Sequence, residues 1–341
     1  MSSAFKYLPV SVLAGSLLLV LTRGPGSLQE PILRLFGNPR SHQRLIASLK
    51  VLLALGLTGQ VNALLSAWAR NNWQVGEKAA WKWDEEVAVV TGGSNGMGAL
   101  VVKGLAAKGL KVAVFDIQTL PKDLEDLPGV QFFKCDITSV DEVKRAAAEV
   151  RSSLGAPSIL LNNAGIADAH NILDATPEWL RKVFDVNVIS NFYLIQAFLP
   201  DMIQRKKGHI VTTASLASYV GTAGLVDYCA TKAGVLTLHE GLAQELKHRY
   251  KAPFIKTSII HPIYVRTKLI SSYASSLSRS GALVIEPETV ANAIIRQIMS
   301  GKSGQIILPA WMGAASGARG WPTWVQEILR DTTARDVDAK N

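Results

Sequence analysis

Seven apolar runs of strand length, separated by stretches of helix length, constrain this chain more than any other feature. They are VAVVTG (87–92), KVAVFD (111–116), VQFFKCD (130–136), SILLNNAG (158–165), HIVTTAS (209–215), IKTSIIHP (255–262) and GQIILP (304–309). An uninterrupted apolar run fits a strand buried on both faces, and strands alternating with helices predict a parallel sheet covered by helices. The expected fold is α/β: one domain over residues 83–310, a doubly wound parallel sheet of about seven strands, with a separate region 1–82 before it and a tail 311–341 after it. Ser139-x-x-Glu142 reads as a capping box, and Thr176-Pro177 and Glu286-Pro287 place proline in a first helical turn. After Ala310 the tail holds Trp311, Trp321 and Trp324, then turns polar and is expected to fray.

Hydrophobic residues make up 48% of the 341 and charged residues 18%, which allows a sizeable core and excludes a disordered chain. Cys135 and Cys229 are the two cysteines, too few for a disulfide framework, so a reducing compartment is expected. The six histidines are scattered without metal-ligand spacing, and no metal site is expected.

The net charge of +9 is concentrated at the N-terminus. Residues 1–82 carry Lys6, Arg23, Arg34, Arg40, Arg44, Lys50, Arg70, Lys78 and Lys82 against Glu30 and Glu77. These charges flank two uncharged apolar stretches, Tyr7–Thr22 and Val51–Ala69, which favours a membrane surface as partner over nucleic acid. Each stretch is near the roughly 20 residues of a span. Positive flanks on both sides prefer the cytoplasmic face, so the pair reads as a re-entrant hairpin or an interfacial segment. A cleaved signal for the first stretch and a buried soluble helix for the second are the alternatives. Trp68, Trp73, Trp81 and Trp83 follow, suited either to headgroup depth or to packing on the domain.

Thr91-Gly-Gly-Ser-Asn-Gly-Met-Gly98 follows a strand and opens a helix. Glycines let the backbone turn sharply and approach a pyrophosphate, which the helix N-terminus receives with free N–H groups. Asp116, 18 residues after Gly98, ends the second strand. A carboxylate there accepts bonds from both adenosine ribose hydroxyls and repels a 2′-phosphate, and Asn95 offers that phosphate no positive charge, so NAD is favoured over NADP. Tyr228-Cys-Ala-Thr-Lys232 places a phenol and an ammonium four apart on one helix face. The ammonium is expected to lower the phenol's pKa and make it a usable acid/base. Ser215, 13 residues upstream at a strand end, can hold a substrate oxygen.

Together with Asp136 in CDIT, NNAG (Asn162–Gly165), Asn187 in DVNV and the PxxVxT of Pro262–Thr267, these residues resemble the short-chain dehydrogenase/reductase superfamily, in its single-domain, non-extended class. The resemblance covers roughly Glu85–Pro309 and implies a Rossmann fold. It implies Tyr228 as general acid/base, Ser215 as the group orienting the carbonyl or alcohol oxygen, and Lys232 as the ligand of the nicotinamide ribose. Asn187 would hold a water linking Lys232 to solvent. For the cofactor it implies Thr91, Gly92, Ser94, Asn95, Gly96, Met97 and Gly98 at the pyrophosphate turn, Asp116 at the ribose, and Asp136 with Ile137 at adenine. Asn163, Ala164 and Gly165 would line the cleft, and Pro262, Val265 and Thr267 would lie at the carboxamide end. Ile263 departs from the glycine many members carry after the proline, which leaves the local backbone open. GHIVTTAS, FLPDM, the Pro-Ile-Tyr-Val-Arg-Thr segment and the apolar N-terminus are similar to the membrane- and lipid-droplet-associated group of 17-beta-hydroxysteroid dehydrogenases of type eleven and retinol dehydrogenases. That similarity implies an apolar small-molecule substrate, a location at the endoplasmic reticulum or lipid droplet with the catalytic domain facing the cytosol, and allows a homodimer.

Leu269, Ile270, Tyr273, Leu277, Leu283, Val284 and Ile285 follow PxxVxT and are expected to supply an apolar substrate wall, with only Lys268 and Arg279 charged. His209 and His261 are expected to be structural, Cys229 a packing residue, and Arg205, Lys206 and Lys207 a solvated helix end. An NADPH-dependent lipid ketone reductase, of the 3-ketosphinganine or acyl-dihydroxyacetone-phosphate type, is the competing enzyme reading, and Asp116 argues against it. A catalytically silent lipid-surface scaffold is the competing non-enzyme reading, and it would need none of Ser215, Tyr228, Lys232 or Asn187.

Overall fold

The computed structural model describes residues 8–73 and 81–337. Lys6, Tyr7, Glu77 and Lys78 therefore lie outside the described residues. The chain divides into two compact units, with the break between Val75 and Gly76.

In the larger unit all seven expected strands form: β1 (Val87–Thr91), β2 (Lys111–Asp116), β3 (Val130–Lys134), β4 (Ile159–Asn162), β5 (His209–Thr213), β6 (Lys256–Pro262) and β9 (Gly304–Leu308). They build one sheet in the order β3-β2-β1-β4-β5-β6-β9, parallel throughout. Alternate residues of each strand face opposite layers. Val87, Val89, Phe115, Leu160 and Ile210 pack toward α6 (Val140–Ser153), α8 (Ser190–Gln204) and α9 (Val226–His248). Ala88, Val90, Val114, Leu161 and Val211 pack toward α4 (Gly96–Ala106) and α11 (Pro287–Met299). This is the doubly wound Rossmann architecture, and the switch of strand order between β1 and β4 opens a crevice at their carboxyl ends.

The helix starts follow their local chemistry. Ser139 Oγ accepts from the Glu142 N–H at 3.3 Å, although the Glu142 carboxylate reaches back to the Asp136 N–H at 2.8 Å, three residues beyond its capping-box partner Ser139. Thr176 Oγ1 accepts from the Trp179 N–H at 3.2 Å, with Pro177 in the first turn of α7 (Pro177–Phe184). Between α7 and α8 the helix widens to a π turn at Asp185–Ile189. Two expectations give way. Lys207 is not solvated: it pairs with Glu86, whose side chain is 1% exposed, and its ammonium lies 5.0 Å from the Trp81 ring centroid. A buried carboxylate demands such a partner. Nor does the tail fray where it turns polar after Trp324, as far as Val337. It forms a 3-10 helix over Ala310–Gly320 and α12 (Thr323–Thr333), and Val337 is buried among Leu225, Tyr273 and Leu277.

The smaller unit is helical: α1 (Leu8–Arg23), α2 (Gly26–Arg34) and α3 (Pro39–Arg70). The second apolar stretch is thus the latter part of a longer helix than its hydropathy suggested. Asn38 caps it by accepting from the Ser41 N–H at 2.9 Å, and Pro39 starts it, so the basic residues Arg40, Arg44 and Lys50 are helical. α1 packs antiparallel on α3, Gly15 against Leu53 and Ser11 against Gly56. A Cβ on Gly56 would lie 2.9 Å from the Ser11 Cβ, the close approach that small residues permit between apolar helices. Outward it shows Leu52, Leu55, Leu64 and Leu65 to solvent. Among the described residues two helical segments are long and apolar enough to cross a membrane, Pro39–Arg70 and the continuous Pro177–Gln204, the latter committed to the sheet through Leu194, Phe198 and Met202.

Candidate active site

The crevice at the strand switch has a volume of about 680 Å³, within the usual span for a small-molecule site. One end is made by the turn between β1 and α4. Gly96 holds φ at +54°, and a Cβ on Gly98 would stand 2.1 Å from the Gly92 carbonyl oxygen, so the turn closes only with glycine there. No side chain caps α4 at Asn95, which leaves its first-turn N–H groups facing the crevice as an anion cradle.

Asp116 stands beside this turn. Its carboxylate accepts from the Ser94 N–H at 3.0 Å and from the Gln118 N–H at 2.9 Å, and Asn95 donates to the Gln118 side chain at 2.7 Å. Ile117, next in sequence, is exposed and brings no charge. Gly92, Met97, Asp136, Ile137, Ala164 and Gly165 line the same end. Asp136 spends its carboxylate on Thr138, 2.9 Å from its N–H and 2.7 Å from its hydroxyl. Asn163 lines the crevice while binding strand ends together: its N–H donates to Thr91 Oγ1 at 3.0 Å, its amide to the Thr91 carbonyl at 3.2 Å. Thr91, Ser94 and Gly98 stand behind the lining and shape it.

Ser215, Tyr228 and Lys232 meet in the middle. Ser215 Oγ donates to the Pro262 carbonyl at 3.4 Å, accepts from the Ala217 N–H at 3.1 Å and faces the Tyr228 phenol. Lys232 Nζ donates to the Thr213 carbonyl at 2.9 Å and lies 5.6 Å from the Tyr228 ring centroid. Burial pushes the Tyr228 phenol up to about 12, the Ser215 bond opposing it, and burial brings the Lys232 ammonium down to about 8. The expected lowering of the phenol is therefore reversed, because the cost of taking a phenolate out of water outweighs the Ser215 hydrogen bond that favours it. Asn187, in the π turn and 1% exposed, accepts from the Ile166 N–H at 2.8 Å and donates to the Ile166 carbonyl at 2.9 Å and to Thr231 Oγ1 at 3.1 Å. It clamps the loop following NNAG against the helix that carries Tyr228 and Lys232.

The other end is apolar and comes from three separate segments. Leu216 and Leu225 flank Tyr228, while Pro262, Val265 and Thr267 lead into Leu269, Ile270 and Tyr273; Met312, Ala315 and Leu329 close the wall from the tail. Of the expected wall, Leu277 packs beneath, Val284 and Ile285 form β8 against β7 (Tyr264–Val265), and Leu283 is exposed. Sequence reading missed the tail residues, for which no motif exists. It also missed buried Asp227, which accepts from Trp179 Nε1 at 2.6 Å and pairs with His170 at 3.3 Å beside Tyr228. Cys229 is buried, its thiol pushed up by burial.

A dinucleotide-shaped crevice with this triad defines a class, and the comparison with family models agrees: the short chain dehydrogenase model matches residues 86–277, and the chain belongs to that family. Within it, the chain is 39% identical over 211 residues to the dehydrogenase RED2 of Cochliobolus heterostrophus, covering 61% of this chain and 78% of that one. It is 32% identical to epidermal retinol dehydrogenase 2 of Mus musculus (63% and 71% covered) and 30% identical to human estradiol 17-beta-dehydrogenase 11 (66% and 75% covered). Among solved structures it resembles a short-chain type dehydrogenase/reductase from Mycobacterium marinum, with a TM-score of 0.60, 26% identity, and 66% of this chain and 94% of that one covered. The protein is an oxidoreductase acting on CH–OH groups, of a family that works with a nicotinamide cofactor.

Proposed function

We propose that this protein is an NAD(H)-dependent oxidoreductase that interconverts an apolar alcohol and its ketone or aldehyde, with a steroid, a retinoid or a long-chain lipid as substrate. The observation that carries this reading is the polarity of the two crevice ends: a carboxylate followed by the uncharged Ile117 at one, a mostly apolar chamber opening on Tyr228 at the other. The fit of the cofactor rests on the glycine turn and the uncapped start of α4, which would take the pyrophosphate, and on Asp116, which would take the adenosine ribose hydroxyls and repel a 2′-phosphate. When bound, the nicotinamide supplies or receives a hydride. Lys232, adjacent to Gly165 and Thr213, would hold the neighbouring ribose.

Ser215 orients the substrate oxygen, and Tyr228 exchanges a proton with it. A phenol held near 12 keeps its proton at neutral pH, which suits donation to a developing alkoxide during reduction. The apolar wall excludes water from that exchange. The names of the retinol and estradiol dehydrogenase relatives support an apolar substrate. The test is an initial-rate assay of nicotinamide absorbance, in both directions, with NAD(H) and NADP(H), across steroids, retinol and alcohols of rising chain length. NAD(H)-dependent turnover that improves with apolar size is expected; preference for NADP(H), or for a charged sugar or hydroxy acid, contradicts the reading.

The smaller unit supports attachment to a membrane or lipid-droplet surface. α3, at about 1.5 Å per residue, exceeds the roughly 30 Å of a hydrocarbon core, and its leucines face outward. The full chain should pellet with membranes and resist a salt wash, because apolar burial is not screened. Release by salt alone would make the attachment electrostatic.

A further inference from the structure

Behind Ser215, outside the crevice, three side chains make a hydrogen-bonded line. His261 Nδ1 lies 3.0 Å from the Ser215 carbonyl oxygen, His261 Nε2 lies 3.0 Å from Tyr219 Oη, and Gln305 Nε2 lies 2.5 Å from the same Oη. His261 is fully buried and Tyr219 nearly so, their rings packed with centroids 4.8 Å apart. A carbonyl only accepts, so Nδ1 carries the proton. Burial holds the His261 imidazolium down to about 4, which makes the ring neutral at physiological pH, and Nε2 must then accept. Tyr219 supplies that donor, and its remaining lone pair receives the Gln305 amide N–H. Every proton in the line has one place.

The location explains the need. The β5–β6 ladder ends at Thr213 and Ile260, with the Ala214 N–H donating to the Ile260 carbonyl at 2.8 Å. Ser215 lies two residues past that ladder, and the His261 side chain takes over where backbone pairing stops. From the far side, Arg319 donates to the Ser218 carbonyl at 3.1 Å and the Tyr219 carbonyl at 3.4 Å, pinning the short turn Leu216–Ser218 that follows.

We propose that Gln305, Tyr219 and His261 are positioning residues that fix the Ser215 backbone and thereby aim its hydroxyl at the substrate oxygen. The inference rests on the reading of Ser215 as the group that orients this oxygen. Without the Tyr219 hydroxyl, His261 Nε2 is left buried without a donor, and the ring is held only through Nδ1–H at the Ser215 carbonyl. The ring and the backbone it holds are then free to shift. A displacement of an ångström near reacting atoms costs up to about a hundredfold in rate.

The experiment compares wild type, Tyr219→Phe, Gln305→Leu, His261→Asn, His261→Leu and Ser215→Ala in the full chain, with the best alcohol of the assay above. Tyr219→Phe should lower kcat roughly tenfold to a hundredfold, leave NADH affinity by fluorescence titration near wild type, and add nothing in a Ser215→Ala background. That non-additivity separates action through Ser215 from general loosening, which adds. Gln305→Leu should follow in the same direction, and His261→Asn, with an amide N–H near the place of Nδ1–H, should retain more activity than His261→Leu. Wild-type kcat in Tyr219→Phe, a loss that adds fully to that of Ser215→Ala, or NADH affinity falling in step with kcat would each overturn the relay. A Ser215→Ala variant as fast as wild type would instead remove Ser215 from the mechanism, and the relay with it.

Discussion

The two ends of the crevice are built by different rules. The cofactor end is made by short contiguous segments, Thr91–Gly98, Asp116–Gln118, Asp136–Thr138 and Asn163–Gly165, whose polar groups bond one another across strand ends. The substrate end draws single residues from segments as far apart as Leu216 and Leu329, and asks mostly apolar area of them, with Thr333 and Asp336 the polar members from the tail. Where a site needs a particular backbone path, residue types are forced. Gly98 allows nothing larger at 2.1 Å from a carbonyl oxygen, whereas the place of Leu329 could be filled by many side chains.

A two-residue change at the cofactor end should therefore have a large and discrete effect. Asp116→Ala with Ile117→Arg removes the carboxylate and places a guanidinium where a 2′-phosphate would sit. The ratio of kcat/KM for NAD to that for NADP should fall on the order of tenfold, about 1.4 kcal/mol. An unchanged ratio would mean that Asp116 serves only to bond Ser94 and Gln118. At the substrate end the response should be smaller and graded. Leu329→Ala should lower kcat/KM for a long-chain alcohol by roughly fourfold, one methylene's worth of burial at about 0.8 kcal/mol, and spare a short one. Equal losses for short and long alcohols would make Leu329 a packing residue of the tail and not part of a substrate wall.

The same contrast explains what was legible in the sequence. The strands could be read because their apolar runs are uninterrupted, a consequence of burial on both faces of the sheet. Tyr228, Lys232 and Ser215 could be read because their spacing follows from one helix turn and one strand end. The tail could not: α12 has no fully buried residue of its own, and its polar composition hides that Leu329, Thr333 and Asp336 turn toward the crevice. Lys207 looked solvated because its partner Glu86 is 121 residues away. His261 is structural as expected, buried and bonded, but which groups it holds could not be read, since its contacts with Ser215 and Tyr219 span more than 40 residues. The reversed shift at Tyr228 was out of reach as well, because a sequence shows the neighbouring ammonium and not the extent of burial.

Hydride exchange between a nicotinamide and an apolar carbonyl or alcohol, supported by Tyr228, can be followed atom by atom by reducing an apolar ketone with NADH deuterated at C4, each C4 epimer in turn, and locating the label by mass spectrometry. Deuterium should appear on the carbinol carbon from one epimer only. The rate should be lower by roughly 10²–10⁴-fold in Tyr228→Phe, the contribution typical of a general acid, with NADH affinity retained. Label in the product at an equal rate from Tyr228→Phe, or no label from wild type that binds NADH, would contradict hydride exchange supported by Tyr228.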